Sequence, residues 1–335
     1  MPSMSQNHGL LLPALSLGAL IGCSTPAETN NTTPDGGGGT QDAGDPNILA
    51  GTFQVRLIAP VPASNGNPGT PGLTAVLGKI YDGPVPSQLI WEEDSKEGAC
   101  RLLVPRVPFC NTPCGGSAVC VENDTCEPYP TAHSAGTVTA KGIQTEAGAS
   151  EFTMKPVANN YQPAADIKLK YPGFAEGDTI RMEAAGEFYS AFSVESKGIA
   201  QLVVLNDSIS LEPNKAVTLN WTPPGTAGGS TIHVKVDISH HGGSKGLIEC
   251  DTEDTGTLEL PAGLVTKLIN LGVAGFPTVL ISRLSLGSVT IAPGRVELVV
   301  SSDIEKALEI PGLVSCTDTS NCPMGQTCQP DLTCK

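Results

Sequence analysis

Ten of the chain's eleven cysteines lie between Cys100 and Cys334, and eight of these fall into two clusters built on one pattern. Cys110, Cys114, Cys120 and Cys126 are spaced C-x3-C-x5-C-x5-C, and Cys316, Cys322, Cys328 and Cys334 are spaced C-x5-C-x5-C-x5-C. CGGSAVCVENDTC and CPMGQTCQPDLTC align without a gap and both end in Thr-Cys, so the clusters are copies of an internal repeat. Segments so short and so poor in apolar residues cannot enclose a core, and something other than packing must hold them. Structural zinc sites favour C-x2-C knuckles in reducing compartments, whereas the spacings here are three and five. An even set of ten half-cystines reads instead as a disulfide framework, provided that the chain is exported.

Export is what the N-terminus predicts. Residues 10–21 read LLLPALSLGALI, an apolar run too short for the roughly 20 residues of a membrane-spanning helix but suited to the core of a signal peptide. Residues 24–49 are rich in Thr, Asn, Gly and Pro, and they carry Glu28, Asp35, Asp42 and Asp45 with no compensating base. Such a segment buries too little apolar surface to offset its ordering entropy, so it is expected to be a disordered tether spanning roughly 30 Å.

At the junction stands Leu20-Ile21-Gly22-Cys23, which resembles the lipobox of bacterial lipoproteins. The resemblance implies that residues 1–23 form a lipoprotein signal peptide and that the Cys23 thiol is acylated to become the mature N-terminus. It also implies an outer-membrane or cell-surface address in a Gram-negative bacterium, because Ser24 stands where an Asp often retains lipoproteins at the inner membrane. No Lys or Arg precedes Cys23, a departure from the positive charge with which signal peptides usually open.

The remainder reads as all-β. With 38 Gly, 28 Pro and 4% aromatic residues, the composition favours many short elements joined by turns. Strand-length apolar or alternating runs recur at residues 53–59, 73–81, 100–104, 136–143, 151–157, 179–185, 199–205, 216–221, 231–239, 247–251, 278–284 and 296–301. Evenly spaced short strands predict an antiparallel β-sandwich, jelly-roll or Ig-like, either one large unit or two packed together. One short helix is expected at 261–271, where Pro261 opens PAGLVTKLINL and Leu264, Val265, Leu268 and Leu271 share a face; it would cap an open end of the sandwich. The body is thus placed at 50–302 with a Cys-rich insertion at 100–130, followed by a C-terminal Cys-rich repeat at 303–335.

The two clusters and this layout resemble myxobacterial-type β-sandwich lipoproteins with short Cys-rich repeats. In such knots the first cysteine commonly pairs with the third and the second with the fourth. The resemblance therefore implies Cys110–Cys120, Cys114–Cys126, Cys316–Cys328 and Cys322–Cys334, which leaves Cys100 with Cys250.

Few residues suggest chemistry. Strand alternation puts His233, Asp237 and His241 on one face, a candidate metal set, but His233 and His241 lie about 26 Å apart along an extended strand, so a solvated face is expected. Gly242-Gly243-Ser244-Lys245-Gly246 fits G-x-S-x-G formally, yet it falls between two strands and reads as a hairpin turn. Asp251, Glu253 and Asp254 lack the ladder of a calcium loop and read as a solvated turn. Trp91, followed by three acidic residues, is the candidate ligand-stacking aromatic, and Trp221 reads as core.

No cofactor is expected. A formal charge of -15, with 19 Lys plus Arg against 34 Asp plus Glu, disfavours nucleic acid as a partner. The function expected is that of a membrane-anchored extracytoplasmic lipoprotein of structural or binding type, with an envelope protein or polysaccharide as partner. A carbohydrate- or peptidoglycan-binding module and a secreted hydrolase of unfamiliar type are the alternatives.

Overall fold

The structure, a computed structural model, describes residues 44–63 and 68–335. The signal peptide, Cys23 and most of the expected tether lie outside the described residues.

Alternation builds the first strands. In β1 (Asp45–Ile58) Phe53, Val55 and Leu57 turn inward while Gln54 and Arg56 turn out, and in β2 (Leu73–Ile80) Val76 and Ile80 are buried. There follow β3 (Ile90–Glu97), β4 (Cys100–Arg106), β5 (Ala118–Glu122), β6 (Thr125–Pro128), β7 (Val138–Lys141), β8 (Glu151–Met154), β9 (Asn160–Tyr161), β10 (Thr179–Ala184) and β11 (Phe192–Lys197). The second half of the chain adds β12 (Val217–Asn220), β13 (Thr231–Asp237), β14 (Leu247–Glu253), β15 (Thr257–Leu260), α1 (Ala262–Asn270), β16 (Thr278–Ile291) and β17 (Gly294–Ala307).

Nine strands form one sheet in the order β3-β4-β14-β13-β16-β17-β1-β2-β9. Two hydrophobic cores lie against it. The first gathers Phe53, Val55, Leu57, Leu298 and Val300 from the sheet against Val138, Phe152, Met182 and Val194 of a four-stranded sheet ordered β11-β10-β7-β8. The second gathers Leu102, Val234, Val236, Ile248 and Ile281 against Leu219 and Leu260 of the β12-β15 pair and Leu264, Val265 and Leu268 of α1. The architecture is therefore all-β with one helix: two packed sandwich halves under a shared sheet. At about 1.5–3 kcal/mol for each fully buried large apolar side chain, both cores are large enough to hold their halves by packing.

The 14-residue strands β16 and β17 join these halves. The first half of β16 pairs with β13 as far as Leu284 opposite Thr231. Beyond that point β16 leaves β13 and closes on β11. Ser285 Oγ accepts from Ser196 Oγ at 3.1 Å and from the Lys197 amide at 3.3 Å, and a Cβ on Gly287 would collide with the Glu195 carbonyl.

Several expectations change here. The β1–β17 pair is parallel, the exception in a sheet whose other pairs are antiparallel. β1 begins at Asp45, inside the segment expected to be tether, although its first residues have no apolar pattern. They are held by backbone pairing along β17 and by Arg295 Nη1 donating to the Pro46 carbonyl. At the far end β17 runs to Ala307, and Leu308 is buried in the second core. The run 199–205 forms a single bridge, Val204 opposite Trp221, and not a full strand. Its Leu202 amide donates to Ser302 Oγ, and the Ala200 and Gln201 carbonyls accept from Arg283. α1 supplies a second layer beneath β4 and β14 instead of capping an open end, since Leu264, Val265 and Leu268 share a core with Cys100, Leu102 and Ile248.

Candidate functional site

Five disulfides close in the described chain. Cys100 and Cys250 stand directly opposite each other on β4 and β14, with Cα atoms 4.1 Å apart, and form part of the second core. In the first repeat Cys110 pairs with Cys120 and Cys114 with Cys126, across the β5–β6 hairpin. Asp124 holds the left-handed position of that hairpin's turn at φ 59°, and its carboxylate accepts from the Asn111 amide and side chain. In the second repeat Cys316 pairs with Cys328 and Cys322 with Cys334. This module is fastened to the body where the Gly275 amide donates to the Asp331 carbonyl at 2.7 Å and Ser315 Oγ donates to the Gly275 carbonyl at 2.6 Å. Among the described residues, the groups of three donors near enough to share a metal are Cys110, Cys114 and Cys126, and Cys316, Cys322 and Cys334. Every one of those sulfurs is bound in a disulfide.

The candidate metal set is not assembled. His233 lies mid-strand on β13 with Nδ1 2.8 Å from Asp251 Oδ1 on β14, directly across the ladder. That contact, more than its partial burial and with lesser help from Arg101, holds the Asp251 carboxyl below the usual carboxylate range. Asp237 ends β13 and accepts from the Ser239 amide and hydroxyl. His241 occupies a left-handed turn position at φ 63°, with its ring against His240 at 3.9 Å. The G-x-S-x-G segment is part of this β13–β14 connection, and Gly242 is required there because a Cβ would meet the Gly275 amide. Trp91 is partly exposed on the edge strand β3, opposite Pro105 and beside the Glu92–Arg106 ion pair.

Asp254, expected in a solvated turn, is instead buried at the junction of the two halves. Its carboxylate accepts from Trp221 Nε1 at 2.7 Å, Ser230 Oγ at 2.6 Å, Arg283 Nε at 2.5 Å and Arg283 Nη2 at 3.0 Å. Arg283 completes its bonding on the carbonyls of Ala200, Gln201 and Thr222. Burial alone would raise the Asp254 pKa, but the hydrogen bonds from Arg283, Ser230 and Trp221 outweigh it and hold the carboxyl below its ordinary value. A shallow depression of about 300 Å³, lined by Glu176, Lys197, Thr226, Gly229 and Ser230 among others, adjoins this knot.

A second constellation lies at one end of the first half, where the segments after β2, before β7, at β9 and between β10 and β11 converge. Asp82 accepts from the Thr131 amide at 2.7 Å and contacts His133 Nε2 at 3.1 Å. Desolvation works against the charged form of Asp82, and these two partners reverse it, leaving the carboxyl below its ordinary range. The His133 ring stacks on Phe188 with centroids 3.7 Å apart and planes 5° from parallel. Ser134 Oγ donates to Glu187 Oε2 at 2.5 Å. Tyr161 OH accepts from the Ala135 amide at 2.7 Å and donates to the Gly136 carbonyl at 3.0 Å.

Tyr189 is 4% exposed and sets its ring edge-on to Phe188 at 5.0 Å. Among the described residues its hydroxyl has no hydrogen-bond partner. Burial first, then the charges of Asp82 and Tyr161, push that hydroxyl's pKa up, so it stays protonated. Phe188 itself is 60% exposed. A sequence signal for it exists: an aromatic in the turn-rich segment AGEFYSA lies outside any strand alternation.

No family model matches the chain, and no curated protein matches it. Among solved structures, the chain is similar to the FN1–FN3 domains of chicken CNTN1, at 8% identity over 72% of this chain and 70% of that one, with a TM-score of 0.17. A likeness of that size supports no inference.

Proposed function

We propose that the chain is an exported, lipid-anchored envelope protein of structural or binding type, with Cys23 as the acylated residue and the paired sandwich as the part that meets other envelope components. The oxidation state of the cysteines carries this reading. Ten of eleven cysteines are joined as five disulfides, and two of the bodies so held are modules with almost no core of their own. Such bonds form and persist in oxidising compartments. The cysteine outside this pairing is Cys23, two positions after the apolar run that reads as a signal-peptide core. The membrane is then a partner through the lipid, and Ser24 favours the outer membrane or cell surface of a Gram-negative cell as the address.

Labelled palmitate fed to an expressing Gram-negative host tests the anchor. The wild-type chain is expected to take up label, and Cys23→Ser is expected to take up none. An unlabelled wild type, or equal labelling of the variant, overturns the assignment.

A further inference from the structure

We infer that Phe188, Glu187 and His133 form a saccharide-binding subsite at the loop end of the first sandwich half. The ligand class is a pyranose, neutral or N-acetylated. This deepens the binding side of the proposed function and selects polysaccharide over protein as the partner of this surface.

Phe188 is the starting point. An exposed ring on a turn has no packing reason to hold one orientation, yet this one is fixed from beneath. His133 lies parallel to it at 3.7 Å, Asp82 holds His133 through Nε2 at 3.1 Å, and the Thr131 amide holds Asp82 at 2.7 Å. Tyr189 braces the ring edge-on at 5.0 Å, and the Glu187 amide donates to the Tyr189 carbonyl at 3.0 Å to close the turn. With one face on His133 and 60% of the residue exposed, the opposite face is presented to solvent as a fixed flat apolar platform. The axial C–H face of a pyranose matches such a platform, and a ring fixed before binding loses little freedom when the sugar arrives.

The polar complement stands beside it. Glu187 is exposed on the same turn, and its Oε2 is already oriented by Ser134 Oγ. A carboxylate offers about four lone-pair sites, so Glu187 retains acceptor capacity for sugar hydroxyls while Ser134 keeps it in place. A flat ring with an oriented carboxylate at its rim is the pairing by which sugars are held, the ring for the C–H face and the acceptor for the hydroxyls.

The experiment uses the full chain in detergent on an array of immobilised neutral and N-acetylated oligosaccharides. The wild type is expected to bind at least one pyranose series, and Phe188→Ala and Phe188→Leu to weaken it about tenfold, the second because it keeps bulk but loses the flat ring. Glu187→Gln is expected to weaken binding by a smaller factor, and Trp91→Ala to leave it unchanged. Both Phe188 and Glu187 are exposed, so near-UV circular dichroism should report a native fold in every variant. A folded wild type that binds no glycan, or that binds equally after Phe188→Ala, overturns the subsite. Palmitate labelling reads the anchor separately, so failure of one leaves the other standing.

Discussion

Arg283 and Asp254 face each other with both side chains 1% exposed, joined from Nε to Oδ2 at 2.5 Å and from Nη2 to Oδ1 at 3.0 Å. Arg283 comes from β16, which runs under both cores, and Asp254 follows β14 at the edge of the second. Trp221, Ser230 and three backbone carbonyls complete the set, so every strong donor and acceptor in the knot has a partner. Such a pair contributes less net stability than its contacts suggest, because desolvation opposes the Coulombic gain. Breaking it is another matter.

Asp254→Asn is expected to destabilise the protein by about 3–5 kcal/mol, since it leaves a guanidinium buried without its counter-charge. Arg283→Met alone removes the buried cation and should cost less than Asp254→Asn if the unpaired guanidinium dominates, although it also leaves the carbonyls of Ala200, Gln201 and Thr222 without their donor. Urea midpoints of wild type and the two variants check this, and an Asp254→Asn no less stable than wild type would refute the charge-based account.

The same carboxyl gives a pH dependence. Its pKa is lowered in the folded state, so its stabilisation is complete above the unfolded value of about 3.9 and is lost as pH falls through the lower folded value. Urea stability should therefore hold from neutrality to about pH 5 and decline below. Asp254→Asn should show a shallower decline over the acid range.

The disulfides should separate by location. Replacing Cys316, Cys322, Cys328 and Cys334 with Ala is expected to unfold the C-terminal module while the body's melting temperature stays nearly unchanged, because the two bridges are the main thing that holds that module. Replacing Cys100 and Cys250, which close a separation of 150 residues, should lower global stability by up to about 5 kcal/mol. Limited proteolysis and calorimetry distinguish the two. In denaturant without reductant, the Cys23→Ser chain should titrate no free thiol.

Gly287→Val should push β16 away from β11, since there is no room for a Cβ above the Glu195 carbonyl. The expected cost is about 1–3 kcal/mol, read as a lower melting temperature with secondary structure retained.

Two tyrosines in one cluster should respond oppositely. Tyr161→Phe removes a hydroxyl bonded to the Ala135 amide and the Gly136 carbonyl, strands buried groups and should cost about 1–3 kcal/mol. Tyr189→Phe removes a hydroxyl with no partner among the described residues and should be neutral or slightly stabilising. Equal losses in both would mean that the Tyr189 hydroxyl has a partner in solution.

Strand alternation made much of the fold legible in the sequence. Phe53, Val55 and Leu57 on β1 and Ile232, Val234 and Val236 on β13 declare their inward faces, and the repeat spacing marked both modules. Local pattern could not reveal β3, whose IWEEDSKE has no buried face, nor the continuation of β16 past Leu284, where its pairing with β13 ends and β11 packs closely against Gly287. Asp254 was misleading for a related reason. CDTEDTG looks hydrophilic, and the residue is buried only because Arg283 reaches it from 29 positions away. Phe188 carries less sequence signal for ligand stacking than Trp91 or Trp221. Its exposure follows from tertiary placement of a turn on His133, and no periodicity encodes that.

The parallel pairing of β1 with β17 has a mechanical consequence. From Gly51 to Ile58, β1 has β17 on one side and β2 on the other. A force applied along the axis of β1 would load those two ladders in shear, all their hydrogen bonds at once. Peeling, which would rupture bonds one at a time, requires a pull across the sheet. A body held to a surface by its N-terminus would meet drag best when that pull runs along β1.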